Sequence, residues 1–302
     1  MPDAVKMPDA VNVEEADTVN VGEPSAVNAA ASAAEGFGPR ATRVLASGVG
    51  PVLLVAALAG VQILTMKHLS KTNEVLLNLA VLLVVYSLHA RFIERRVAVE
   101  LSLRRLPELV YGALLGTGLI AAVMLVLTLV GVYHLHGLVT TPVDLPGAAI
   151  TVLTAATLEE LIFRGYFFRW LSRWNVWGAI GVTSLFFGLA HLANPHASLL
   201  AAVAIAVEAG VLLGAAYWLS GNLWFPIGIH MGWNFAEGPV FNVPVSGTAV
   251  HGLVRGSFSG SPLLTGGEFG IEASLVALAI CGAVGFAMLW LCVRRHAIPV
   301  RA

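Results

Sequence analysis

Apolar residues run along most of this chain for about twenty positions at a time, separated by short stretches that hold the charged residues, prolines and many of the glycines. A run of that length is what an α-helix needs to cross a hydrocarbon layer about 30 Å thick at a rise of about 1.5 Å per residue. Eight spans are predicted: Val44–Met66, Val75–Phe92, Leu106–Tyr133, Gly147–Phe168, Val176–Ala193, Ser198–Leu219, Asn222–Val240 and Ala273–Val293. The pattern reads as an all-α, polytopic integral membrane protein over residues 44–302. Residues 1–43 break it. The near-duplicates MPDAVK and MPDAVN, followed by acidic stretches rich in Ala, Val and Asn, predict a disordered acidic tail without the basic start of a cleavable signal peptide.

Positive residues are retained on the cytoplasmic side of a membrane. With eight spans and the N-terminus inside, the cytoplasmic segments hold nearly all Lys and Arg, and the other side holds Lys67, Lys71 and Arg255. The predicted topology is therefore N-in and C-in, in the cell membrane. The arginines from Arg91 to Arg105 could form an amphipathic helix that attracts anionic lipid, but positive-inside topology alone accounts for them.

Composition narrows the class. Hydrophobic residues make up 57% of the 302 and charged residues 12%, with a net charge of −1 and a mean hydropathy of +0.82. Such a balance excludes a nucleic-acid binder, and two cysteines exclude a disulfide scaffold. On one continuous helix Cys281 and Cys292 stand about 16 Å apart and cannot bridge.

Against this apolar background, charges inside spans stand out, since each costs about 2.5 to 3.5 kcal/mol at mid-membrane and usually marks function. The fourth span carries Glu159, Glu160 and Arg164 in EELIFR, the fifth ends with Phe187 and His191 in FGLAH, and the seventh carries His230 and Asn234 in HMGWN. Residues four apart share a helix face, so Glu160 pairs with Arg164, while Glu159 is turned about 100° away and left free. By the same rule His230 and Asn234 share a face, and Phe187 lies one turn before His191, where its ring can orient the imidazole. A glutamate without a counter-ion is a usable general base. Glu159 with His191 could activate a water, and His230 with Asn234 could donate to the oxyanion of amide hydrolysis.

At these residues the sequence resembles the CPBP family of membrane endopeptidases, which includes type II CAAX prenyl proteases and bacteriocin-processing or immunity proteins. The family's motifs EExxxR, FxxxH and HxxxN stand here in order as Glu159-Glu160 to Arg164, Phe187 to His191 and His230 to Asn234, within a likeness that covers about 147–293. The resemblance implies a glutamate-dependent intramembrane endopeptidase acting on a peptide or membrane protein, lipidated in some relatives, at or just inside the cytoplasmic leaflet. Glu159 matches the catalytic glutamate, Glu160 and Arg164 its supporting pair, and His191, His230 and Asn234 the remaining polar members. Glu159, His191 and His230 would also make a zinc set. The metal-free, cofactor-free reading is preferred, because HExxH is absent and three helices would have to converge.

Two other classes remain open. A transporter could use buried Glu, Arg and His as a proton or substrate path, although no inverted repeat is visible. A non-catalytic adaptor of the same family is the other, against which the intact motifs argue. Glu208, inside the sixth span, and Glu237, on the face of His230 and Asn234, are candidate supporting carboxylates. Glu268 and Glu272 read as acids placed favourably before a helix N-terminus. His134, His136 and His196 read as loop or interfacial residues, and the tryptophans near span ends as an aromatic belt. One tension stands: His191 lies about 9 Å past the middle of its span, away from Glu159.

Overall fold

The computed structural model describes residues 49–57, 59–60 and 70–297. The acidic tail lies outside the described residues, as does part of the first expected span, of which 49–57 and 59–60 are helical. Helix α1 (Lys71–Leu88) starts from Ser70, whose hydroxyl accepts from the Asn73 amide, and ends in a wide π turn, His89–Ile93. Two short 3-10 turns lead to α2 (Pro107–Leu129). Helix α3 (Leu145–Glu160) is capped by Asp144, which accepts from the Gly147 amide; it widens through a π turn, Leu161–Phe168, and resumes to Leu171. Helix α4 (Val176–Ala190) is capped in the same way by Asn175 and closes with a 3-10 turn, His191–Ala193. Helices α5 (Leu199–Ile205) and α6 (Leu212–Ser220) form one rod with a π turn, Ala206–Val211, between them. Helix α7 (Trp224–Phe235) runs into a π turn, Ala236–Val240; short α8 (Pro262–Thr265) and long α9 (Leu275–Ala297) complete the chain.

Six of these rods are long and apolar enough to cross a membrane, among the described residues: Lys71–Ile93, Pro107–Leu129, Leu145–Leu171, Val176–Ala193, Leu199–Ser220 and Leu275–Arg295. They match six of the expected spans closely. The expected span Asn222–Val240 does not reach that length. Its helix is instead central, burying Ile227, Ile229, His230 and Trp233, so little of it has to be matched to lipid.

Close approach fixes where α7 sits. On Gly112 and Gly116 of α2 a Cβ would fall 2.3 Å from the Phe225 carbonyl oxygen and 2.0 Å from that of Ile229. On Gly228 and Gly232 of α7 it would fall 2.2 Å from the carbonyl oxygens of Leu109 and Ala113. Two glycine pairs at four-residue spacing thus face each other, and only glycine lets the backbones touch. This contact holds the helix that carries His230 and Asn234.

The all-α expectation needs one correction. Strands β1 (Tyr133–Leu138) and β2 (Val254–Phe258) pair antiparallel, with a register shift between Leu135 and Gly137. The end of the expected third span is therefore strand, and His134 and His136 contact Ser259 and Ser257 across the ribbon at 2.9 and 2.7 Å.

Side-chain links define the two ends of the bundle. Arg169 donates to Glu94, joining the ends of α1 and the α3 rod, and Arg105 donates to the Ser220 carbonyl, joining the start of α2 to the end of α6. Among the described residues every arginine except Arg164 and Arg255 falls in the segments at this end. The opposite end holds the β-ribbon, the start of α3, the end of α4 and the loops after α7.

Candidate active site

Glu159 and Glu160 close α3 just before the π turn that carries Arg164, and adjacent positions send them in different directions. Glu160 is fully buried and accepts from Arg164 at 2.9 Å. The same guanidinium, also fully buried, donates to the carbonyls of Ala209 and Gly210 at 3.2 and 3.0 Å and lies 4.7 Å from the centre of the Phe187 ring. Arg164 thus ties α3 to α4 and to the π turn between α5 and α6. Glu159 is only partly buried and lines a cavity of about 590 Å³.

His230 lies between the two glutamates. A carboxylate oxygen can only accept, so the 3.1 Å contact to Glu160 Oε1 puts a proton on His230 Nδ1. Its Nε2 then faces Glu159 Oε2 at 3.9 Å. His191 is fixed by a different acceptor. Its Nδ1 donates to the Phe187 carbonyl at 2.8 Å, which leaves Nε2 of the neutral ring as an acceptor. The buried Phe187 ring is the hub of the group, 4.9 Å from the His191 ring, 6.0 Å from His230 and 4.9 Å from Phe163. His191, His230, Asn234 and Glu159 all line the large cavity, so the position of His191 past mid-helix does not remove it from the site.

A second, smaller cavity of about 40 Å³ lies on the inner side of the histidines, and His191, His230, Asn234 and Ser246 line both. Its inner wall holds Glu208 and Glu272, both buried. Glu208 sits on the π turn between α5 and α6 with Oε2 unpartnered. Glu237, fully buried on the π turn after α7, accepts from Trp233 Nε1 at 3.0 Å and does not line either cavity. Arg164, Glu208 and Glu237 all lie on π turns, whose extra residue re-aims side chains and often marks a functional site.

Glu272 was missed by sequence reasoning. Its Oε2 accepts from both the amide and the hydroxyl of Ser246 at 2.7 Å. Burial pushes its carboxyl upward from the usual range, and the two Ser246 bonds oppose that. Helix-dipole reasoning explains Glu268 and Glu272 equally well; burial separates them, since Glu268 is 83% exposed and pairs with His196.

Among the described residues no three His, Cys, Asp or Glu side chains are arranged to hold a metal ion, and His230 Nδ1 is engaged by Glu160. Cys281 and Cys292 are both free and buried, as the spacing requires.

Residues 141–236 match the family described as Type II CAAX prenyl endopeptidase Rce1-like, which supports the resemblance to the CPBP, or CAAX protease, family over that stretch. The match takes in all three motifs and ends before the stretch to Val293 in which the resemblance was also read. Neither the curated proteins nor the solved structures contain a match to the chain. The family is one of proteases at membranes, which agrees with the six apolar rods.

Proposed function

We propose that the protein is an intramembrane endopeptidase of the cell membrane, with eight spans and both termini in the cytoplasm, that hydrolyses a peptide bond without a metal. The observation that carries this reading is His230 held between two inequivalent glutamates, one neutralised by Arg164 and one facing the large cavity. In the proposed step Glu159 takes a proton from a water held also by His191 Nε2, and the water oxygen bonds to the substrate carbonyl carbon. The Asn234 amide and the Nε2–H of His230, whose ring carries a proton on both nitrogens in this step, donate to the carbonyl oxygen as it gains charge. The C–N bond then breaks as Glu159 passes its proton to the leaving nitrogen, which restores the carboxylate. Glu160 and Arg164 position His230 and do not touch substrate.

The substrate in this reading is a membrane-associated peptide or protein. The test is Glu159→Gln with processing in membranes read by mass spectrometry. Loss of the cleavage products at unchanged expression is expected, and unchanged products would refute the assignment. A chelated preparation that keeps full activity is the second expectation; activity lost on chelation and regained with zinc would overturn the metal-free step.

A further inference from the structure

The large cavity has a direction. Seven of its lining positions, the cap Asp144 and then Gly147, Ala148, Thr151, Val152, Ala155 and Glu159, recur every three to four residues, twice as adjacent pairs, along a single face of α3. The groove therefore extends from the partly buried Glu159 toward the N-terminal end of that helix, over about 22 Å at 1.5 Å per residue. Lys71 and Thr72 at the start of α1 and Asn194 past the end of α4 line it too, as do Thr248 and His251 in the loop after α7. All of these belong to the end of the bundle opposite the arginines. Residues of the arginine-rich end do not line it.

The positive-inside rule gives this direction a meaning. Arg91, Arg95, Arg96, Arg104, Arg105, Arg173, Arg294 and Arg295 mark one end as cytoplasmic, whereas the mouth of the groove is accompanied by Lys71 and Arg255 alone among described cations. We infer that the site takes its substrate from the non-cytoplasmic side, as an extended segment of an exported or membrane-anchored polypeptide, and not the cytoplasmic C-terminus of a prenylated protein. A groove of that length accommodates about six or seven residues at 3.3 Å each. The inference rests on the proposed peptidase reading for what the groove holds, but the side from which it opens is independent of any activity. It also moves cleavage away from the cytoplasmic leaflet expected from the family resemblance.

Single cysteines test it, because the two native thiols are buried. Thr248→Cys at the mouth, Thr151→Cys within the groove and Arg104→Cys at the arginine-rich end all replace exposed residues. Sealed right-side-out membranes are treated with a membrane-impermeant maleimide before and after lysis. Labelling of Thr248→Cys and Thr151→Cys before lysis, with Arg104→Cys labelled only afterwards, is expected. Labelling of Thr248→Cys only after lysis, or of Arg104→Cys before it, overturns the inference. The readout needs no cleavage, so it stands apart from the Glu159→Gln experiment, whose failure would remove the peptidase reading and leave the direction of the groove intact.

Discussion

Arg164 and Arg169 sit little more than a turn apart on the α3 rod, yet they belong to ionic clusters of different construction. Around Arg169 the valences are filled. Its NH2 donates to both oxygens of Glu94 at 2.5 and 2.6 Å, Arg96 joins Glu94 and Glu100, and Tyr86 donates to Glu100 at 2.5 Å. Two arginines meet two glutamates, and every carboxylate oxygen has a donor. Around Arg164 one arginine meets Glu160 with Glu159 close by, and Glu159 Oε2, Glu160 Oε2 and Arg164 Nε accept or donate no hydrogen bond within the protein. A saturated cluster holds elements together, here the ends of α1 and α3 and the segment between them. A cluster with spare acceptors beside a cavity of about 590 Å³ can bind water and move protons.

Four measurements would break or sharpen that contrast. The largest effect is expected from Glu159→Gln, which should lower cleavage by about 10²- to 10⁴-fold while leaving the unfolding temperature in detergent unchanged, because this carboxylate supports little else. A matching fall in stability would mean that the open cluster is structural too. Arg164→Met should cost about 3 to 5 kcal/mol, since it strands Glu160 in the interior, and cleavage per folded molecule should fall as well, because the Glu160 carboxylate that positions His230 loses its partner; chemical unfolding in detergent measures the first and turnover of the folded fraction the second. Arg169→Met should cost less, about 1.5 to 3 kcal/mol for lost charge-assisted hydrogen bonds, with cleavage per folded molecule unchanged. A selective loss of turnover in that variant would erase the distinction between the clusters.

The smallest effect is a pH dependence. Burial pushes Glu94 upward, but the hydrogen bonds and charges of Arg169 and Arg96 outweigh it and hold the carboxyl below its usual range. A depressed folded value means that the contribution of Glu94 is fully present above the ordinary carboxylate range. It is lost as the pH falls through that range and then through the lower folded value. The unfolding temperature of the native chain should therefore drop in acid more steeply than that of Glu94→Gln, and parallel curves would show that the pairing contributes nothing.

Much of the geometry of the candidate site was legible because it depends on local spacing. Four-residue steps paired Glu160 with Arg164 and put Phe187 beside His191, and the 100° between neighbours sent Glu159 elsewhere. The bond from His191 to the Phe187 carbonyl is a local one as well. Other features depend on residues far apart in sequence. Nothing near Glu272 announces Ser246, and nothing near Arg169 announces Glu94. The residues of the β-ribbon are more than a hundred positions apart, so Tyr133 reads as the end of an apolar run until Phe258 lies beside it. The shortness of α7 was hidden for a related reason: an apolar helix reads alike whether lipid or other helices surround it.

The sequence by itself determined that the chain crosses a membrane, which end of each rod carries the arginines, and which polar side chains share a helix face, since hydropathy, charge and helical period are properties of neighbouring residues. Only the tertiary structure decided that His230 stands between Glu159 and Glu160, that opposed glycines seat α7 against α2, and that the groove opens away from the arginines. Each of these is a contact between helices, set by which faces pack together, and packing is decided by the whole bundle.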